Sequence, residues 1–227
     1  SVEIVNLQPM PAGASNDTAA IDLRVTSGGF ALDVELVLRP ERPDGILAPY
    51  DVHRQFRVMR ALQRTAIPVP SVAWYETDPS ILGAPFFFMA RVRGETLPLF
   101  WYAAGPRLLA AASTLAAIHE VDWRSAGLGF LLETPTPASP LEAEAAPWKA
   151  RAERLRISRA PLVVTLGDWL RTNEPADARF ALLHGDPNPG NYLFVGDTVV
   201  TVLDWELAAI GDPRSDLGFY AALHTVF

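Results

Sequence analysis

Cysteine is absent from the 227 residues, which excludes disulfides, thiolate nucleophiles and cysteine-ligated metals. No stretch approaches the roughly 20 apolar residues of a membrane helix. Ser1 to Leu7 lacks a positive region followed by an apolar run, so no signal peptide is expected either. Positive charge is in deficit, with 19 Lys and Arg against 26 Asp and Glu, a net charge of -7 and a pI near 5.1. That balance argues against a nucleic-acid backbone as the main partner, which needs a clustered positive footprint. Three signatures are missing as well: a Gly-x-Ser-x-Gly elbow, a His pair at zinc-ligand spacing, and the Gly-x4-Gly-Lys-Ser/Thr phosphate loop.

What is present is ordinary globular material. The chain is 49% apolar and 20% charged, with six Trp and eleven Phe for a core. The length suits one large domain or two modest lobes. A cysteine-free, mildly acidic chain of this kind fits a cytoplasmic protein.

The first forty residues read as strands and turns. Ile21 to Val25 alternates with period two, Gly28-Gly29 breaks it, and Leu32 to Leu38 alternates again, which is a hairpin pattern. A small-residue loop, Pro11 to Thr18, precedes it. From Asp51 the apolar positions Val52, Phe56, Met59 and Leu62 fall at helical spacing, and Pro68 and Pro70 are expected to end that helix. Strands are expected at Val72 to Tyr75 and Pro85 to Val92. Thereafter helices dominate: Arg107 to His119, Trp148 to Ile157 and Val163 to Arg171, with Glu133 to Ala146 read as a mobile connection. Short strands return at Phe180 to Leu183, Tyr192 to Val195 and Val199 to Leu203. The compositional boundary falls near Arg91 to Gly94, and a hinge between unlike lobes marks a cleft as the place for a site.

The strongest chemical signal is His184-Gly185-Asp186-Pro187-Asn188-Pro189-Gly190-Asn191, a loop held between two apolar strands. An Asp with an Asn five positions later has the spacing of a kinase catalytic loop. There the Asp takes the proton of the attacking hydroxyl and the Asn holds a magnesium ion. Asp204, at the end of the next apolar strand, reads two ways: a metal ligand, or the cap of a turn. The preceding loop favours the metal role, since magnesium takes oxygen ligands and few protein groups.

Together the runs His184 to Asn191, Leu203-Asp204-Trp205-Glu206 and Gly211-Asp212-Pro213-Arg214-Ser215-Asp216-Leu217 resemble the aminoglycoside phosphotransferase family. The similarity is to its broadly annotated branch, some members of which are fused to acyl-CoA dehydrogenases. Gly13 to Asn16, Ile67 to Pro70, Gly83 to Met89 and Val121 to Arg124 carry the match toward the start.

The resemblance implies an α+β, two-lobed, protein-kinase-like fold, with residues 1–91 as an antiparallel sheet plus one helix and 92–227 as a mostly helical lobe. It implies ATP and Mg2+ as cofactors and a hydroxyl of a small molecule as phosphoryl acceptor. Asp186 would be the catalytic base, and Asn191 and Asp204 the metal ligands. Ser15 and Asn16 would lie over the phosphates, Ala90 and Val92 would offer backbone groups to adenine, and His184 and Asp216 would brace the loop.

Two positions depart from the kinase pattern, in which a strand Lys binds phosphates and pairs with a helix Glu. Arg39 stands at the strand position and Gln55 at the helix position. Arg keeps the charge and a fork of donors, whereas Gln55 offers no charge pair. A nucleotide-binding module without phosphoryl transfer is therefore the alternative function. The sequence leaves open whether Glu206 and Asp212 face the acceptor. Family members continue beyond the point where this chain ends, so a truncated acceptor pocket is expected.

Overall fold

The computed structural model describes residues 1–10, 18–42, 51–97, 105–132, 137–154, 156 and 161–226. The chain forms two compact units, Ser1–Leu97 with Tyr192–Glu206, and Pro98–Asn191 with Leu207–Phe227.

The first unit is built on strands β1 (Val2–Pro9), β2 (Ala19–Ser27), β3 (Phe30–Pro40), β4 (Val72–Glu76) and β5 (Phe86–Ala90). They form one antiparallel sheet in the order β1-β2-β3-β5-β4. The β2–β3 hairpin turns on Gly28 and Gly29, whose φ values of 56° and 84° are both positive. Only a two-residue turn of this hand matches the twist of its strands, and glycine enters it without strain. Period-two alternation puts Asp22, Arg24, Asp33 and Glu35 on one face. Arg24 pairs there with Asp33 at 2.8 Å, while Arg91 reaches Asp22 at 2.7 Å and Glu35 at 2.6 Å.

Helix α1 (Val52–Leu62) packs against β4 and β5. Asp51 caps it by accepting the Arg54 amide at 2.8 Å. Its stripe of Val52, Gln55, Phe56, Met59 and Leu62 is buried, with the Phe56 ring 5.8 Å from that of Phe87. Each such buried Phe or Leu contributes roughly 1.5–3 kcal/mol. A single-turn helix, α2 (Pro79–Leu82), precedes β5. A smaller sheet completes the unit, in which β6 (Glu95–Thr96) pairs with β8 (Tyr192–Val195) and β8 with β9 (Thr198–Val202). The Val202 amide donates to the Pro68 carbonyl at 2.8 Å, fixing the end of β9.

The second unit holds α3 (Pro106–His119), α4 (Pro140–Arg154), α5 (Pro161–Thr172) and α6 (Arg214–Val226). A short antiparallel ladder joins β7 (Ala181–Leu183) to β10 (Ala209–Gly211). Leu115, Ile118, Leu128, Leu131, Leu182, Leu183 and Ile210 form its core. Helix α4 packs on β10. No helix among the described residues is long and apolar enough to cross a membrane.

Two expectations need correction. Helix α1 ends at Leu62, well before Pro68, because the Thr65 hydroxyl bonds the Leu62 carbonyl at 2.7 Å and the Arg64 amide closes a tighter turn on Ala61 at 3.2 Å. The stretch read as a mobile connection through Ala146 is helical from Pro140 onward. Ser139 accepts the Glu142 amide at 3.2 Å and Glu142 reaches back to the Ala138 amide, a reciprocal cap with Pro at the first helical position. Strand β10 and helix α6, which follow Asp204, were not expected from the sequence.

Candidate active site

The loop after β7 is held by its own backbone. Gly185 has φ +83°, and a Cβ there would sit 2.2 Å from the Leu207 carbonyl oxygen, so glycine alone fits. His184 is fully buried. Its amide and that of Gly185 donate to the two oxygens of Asp216, each at 2.9 Å. Asp216, at the start of α6 and 1% exposed, lies 2.8 Å from His119 Nε2 through the same Oδ2. The Asp186 amide donates to His184 Nδ1 at 3.2 Å, which leaves the ring proton on Nε2.

The carboxylate of Asp186 is fixed from both sides. Asn188 Nδ2 donates to Oδ1 at 2.8 Å, and Asn191 Nδ2 donates to Oδ2 at 3.0 Å and to the Asp186 carbonyl at 2.8 Å. Asn188 is buried and its own Oδ1 accepts the Gly190 amide at 2.9 Å, so it staples the loop as well as the carboxylate. Asn188 falls inside the His184 to Asn191 run but outside the Asp-to-Asn spacing that marks a kinase loop. Its signal is an Asn two residues after the Asp and flanked by prolines. With its NH2 group committed to Asp186, Asn191 keeps its amide oxygen as an acceptor.

The first unit carries the second group of residues. Arg39, on β3, is 9% exposed. Its Nη2 lies 2.6 Å from Asp204 Oδ1 and 3.3 Å from Glu206 Oε2, while its buried Nε–H has no partner among the described residues. Asp204 follows β9 with φ +63°, a left-handed backbone that Asp tolerates better than most side chains but that still costs energy. Trp205 is fully buried and its indole donates to the Val202 carbonyl at 3.1 Å, pinning the turn that carries Glu206. Gln55 is buried on α1, and the partners of Arg39 are Asp204 and Glu206 instead.

The remaining predicted residues stand as follows. Ala90 ends β5 and its amide donates to the Ser71 carbonyl at 2.8 Å; Val92 lies just beyond the strand. Ser15 and Asn16 lie outside the described residues. Thus the structure brings His184, Asp186, Asn191 and Asp216 together in one unit, and Arg39 and Asp204 together in the other.

Around the start of α6 the carboxylates are tuned in opposite directions. The Arg214 guanidinium, by hydrogen bonding, holds Asp212 down at about 2. Burial pushes Glu144 above the ordinary carboxylate range, opposed by the Ser215 hydroxyl that donates to it at 2.6 Å. Asp212 is thus committed to Arg214 and to the Arg179 amide at 3.0 Å.

The family model for the phosphotransferase enzyme family matches residues 6–226. The chain belongs to that family. It is 32% identical over 225 residues to acyl-CoA dehydrogenase family member 11 of Gallus gallus, covering 95% of this chain and 27% of that protein. The chain therefore spans about a quarter of that relative's length. A Ralstonia eutropha JMP134 structure, provisionally named an aminoglycoside phosphotransferase, superposes with a TM-score of 0.69 at 27% identity, covering 94% of this chain and 62% of that one. The aminoglycoside phosphotransferase APH(4)-Ia, in a ternary complex with AMP-PNP and hygromycin B, superposes with a TM-score of 0.61 at 19% identity, covering 95% and 71%. The fold is accordingly the kinase-like α+β fold, with an antiparallel sheet and one substantial helix in one unit and helices dominating the other.

Proposed function

We propose that this phosphotransferase-family chain transfers the γ-phosphoryl group of ATP to a hydroxyl group of a small molecule. The observation that carries the reading is the doubly held Asp186 carboxylate, gripped by Asn188 and Asn191 in a loop that Gly185 and Asp216 hold in one shape. A base fixed in this way orients a hydroxyl at no further entropic cost when the substrate arrives. The acceptor oxygen attacks the γ-phosphorus, its proton passes to Asp186, and the bond to the bridging oxygen of ADP breaks.

The donor sets fit the nucleotide and its metal. Asn191 and Asp204 would each offer an oxygen ligand of the kind magnesium selects. Bound Mg2+ would neutralise charge on the transferring phosphates. Arg39 has a buried, unpartnered Nε–H, a donor that a phosphate oxygen would satisfy. At Ala90 an adenine partner would use the carbonyl, since the amide is already spent on Ser71. Support for nucleotide and hydroxylated acceptor comes also from APH(4)-Ia, crystallised with AMP-PNP and hygromycin B.

ATP titration with and without Mg2+, followed by ADP release across a panel of hydroxylated amines, sugars and aminoglycosides, tests the proposal. Magnesium-dependent turnover on a panel member supports it. Tight ATP binding with no turnover on any acceptor would favour a nucleotide-binding module, and no ATP binding by a folded sample would overturn the reading altogether.

A further inference from the structure

We propose that Glu206 is the positioning residue for Arg39, taking the part that a helix glutamate takes beside the phosphate-binding cation of protein kinases. The inference rests on the nucleotide reading above and extends it to a residue that reading does not use.

The chain has one lysine, Lys149, which lies on α4 in the second unit, so the strand cation of the first unit is an arginine. The helix position is the neutral Gln55. A guanidinium that is 9% exposed still needs a carboxylate, because a buried unpaired charge is costly. Two carboxylates answer from one turn, Asp204 at 2.6 Å and Glu206 at 3.3 Å, both on Nη2. Two anions for one cation is one more than Arg39 requires. Were Asp204 to ligate a metal ion, Glu206 would remain to hold the fork.

The placement of Glu206 suits that task. The turn carrying it is anchored by the buried Trp205, whose indole bonds the Val202 carbonyl, and by the Val202 amide on Pro68. Its side chain is 13% exposed, against 22% for Asp204. Because both carboxylates converge on Nη2, the Nε–H is left without a partner although it is buried. A fork gripped at one corner by Glu206 presents that donor to a phosphate oxygen in a fixed orientation, which is what a preorganised anion site needs.

The test is a double-mutant cycle on nucleotide affinity, read by calorimetry with ADP at saturating Mg2+, the condition in which Asp204 would leave Arg39 to Glu206. Arg39→Met and Glu206→Gln should each weaken ADP binding roughly tenfold, and the double variant should bind no more weakly than Arg39→Met alone. Unchanged affinity in Glu206→Gln, or effects that multiply in the double variant, would overturn the inference while the nucleotide reading stands. No ADP binding by the unaltered chain would overturn both. Should Glu206→Gln fail to fold, the Nε–H resonance of Arg39 in the 15N-arginine-labelled unaltered chain decides. It is assigned by its loss in Arg39→Lys and should shift on ADP addition. A stationary resonance at saturating ADP would overturn the inference.

Discussion

His119 Nε2 and Asp216 Oδ2 lie 2.8 Å apart, joining the last residue of α3 to the first turn of α6 across a sequence separation of 97. The same carboxylate takes the amides of His184 and Gly185. One buried side chain thus ties two helices to the loop that carries Asp186. Asp216→Ala would leave three donors without an acceptor, and should cost about 3 kcal/mol or more. Asp216→Asn, which keeps one acceptor oxygen, should fall between. Urea unfolding of both variants against the parent gives the ordering.

Gly185 admits no side chain. At φ +83° with a Cβ 2.2 Å from the Leu207 carbonyl, Gly185→Ala must shift backbone that β10 follows directly. A loss of about 2 kcal/mol or more is expected, visible as a lower Tm. Gly29→Ala meets no atom within 4 Å and should lose only the smaller cost of its turn conformation.

Removing the base separates binding from chemistry. Asp186→Ala should lower kcat by about a thousandfold while nucleotide affinity stays within about threefold. Asn188→Ala removes one of the two amide grips on that carboxylate. It should lower kcat about ten- to a hundredfold with little change in the KM for ATP. Steady-state kinetics on an identified acceptor checks both.

Burial holds the folded pKa of Glu144 above its unfolded value. Its ionised form is therefore a liability that is absent below the unfolded pKa, near 4.5, and grows as pH rises through the folded pKa. Glu144→Gln keeps an acceptor for the Ser215 hydroxyl and removes the charge. The variant should be more stable than the parent at pH 8 and indistinguishable near pH 4, by thermal denaturation across that range.

Asp212 carries the opposite sign. Its folded pKa of about 2 lies below the ordinary 3.8, so its contribution is complete above pH 4 and is lost as pH falls through 2. Screening of the half-exposed Arg214 limits that contribution to about 1 kcal/mol. Asp212→Asn should lose this much at pH 7, with the gap to the parent closing between pH 4 and pH 2.

Local chemistry was the legible part of the chain. The hairpin at Gly28-Gly29 and the helix after Asp51 are written in adjacent residues, and both form where periodicity put them. The start of α4 was legible too, in Ser139-Pro140-Leu141-Glu142, but the neighbouring prolines and threonines masked the cap. Strand β10 has three residues and exists because β7 offers it an edge, so no local pattern announces it. The partners of Arg39 were hidden for the same reason: Asp204 and Glu206 stand 165 and 167 positions away, and charge alone does not say which carboxylate a buried guanidinium will meet.

The first unit is not continuous in sequence, since the β8–β9 hairpin that pairs with β6 arrives from Tyr192 onward. During synthesis, the large sheet can pair its strands as soon as β5 has left the ribosome, but Glu95 waits for Phe194. Asp204 and Glu206 come later still, so Arg39 emerges into a nascent chain in which neither of its carboxylates yet exists. Folding of this unit must therefore finish after most of the other has been made. A protease cut or a split-protein junction between the two halves of the sequence would separate Arg39 from its partners rather than free an independent sheet.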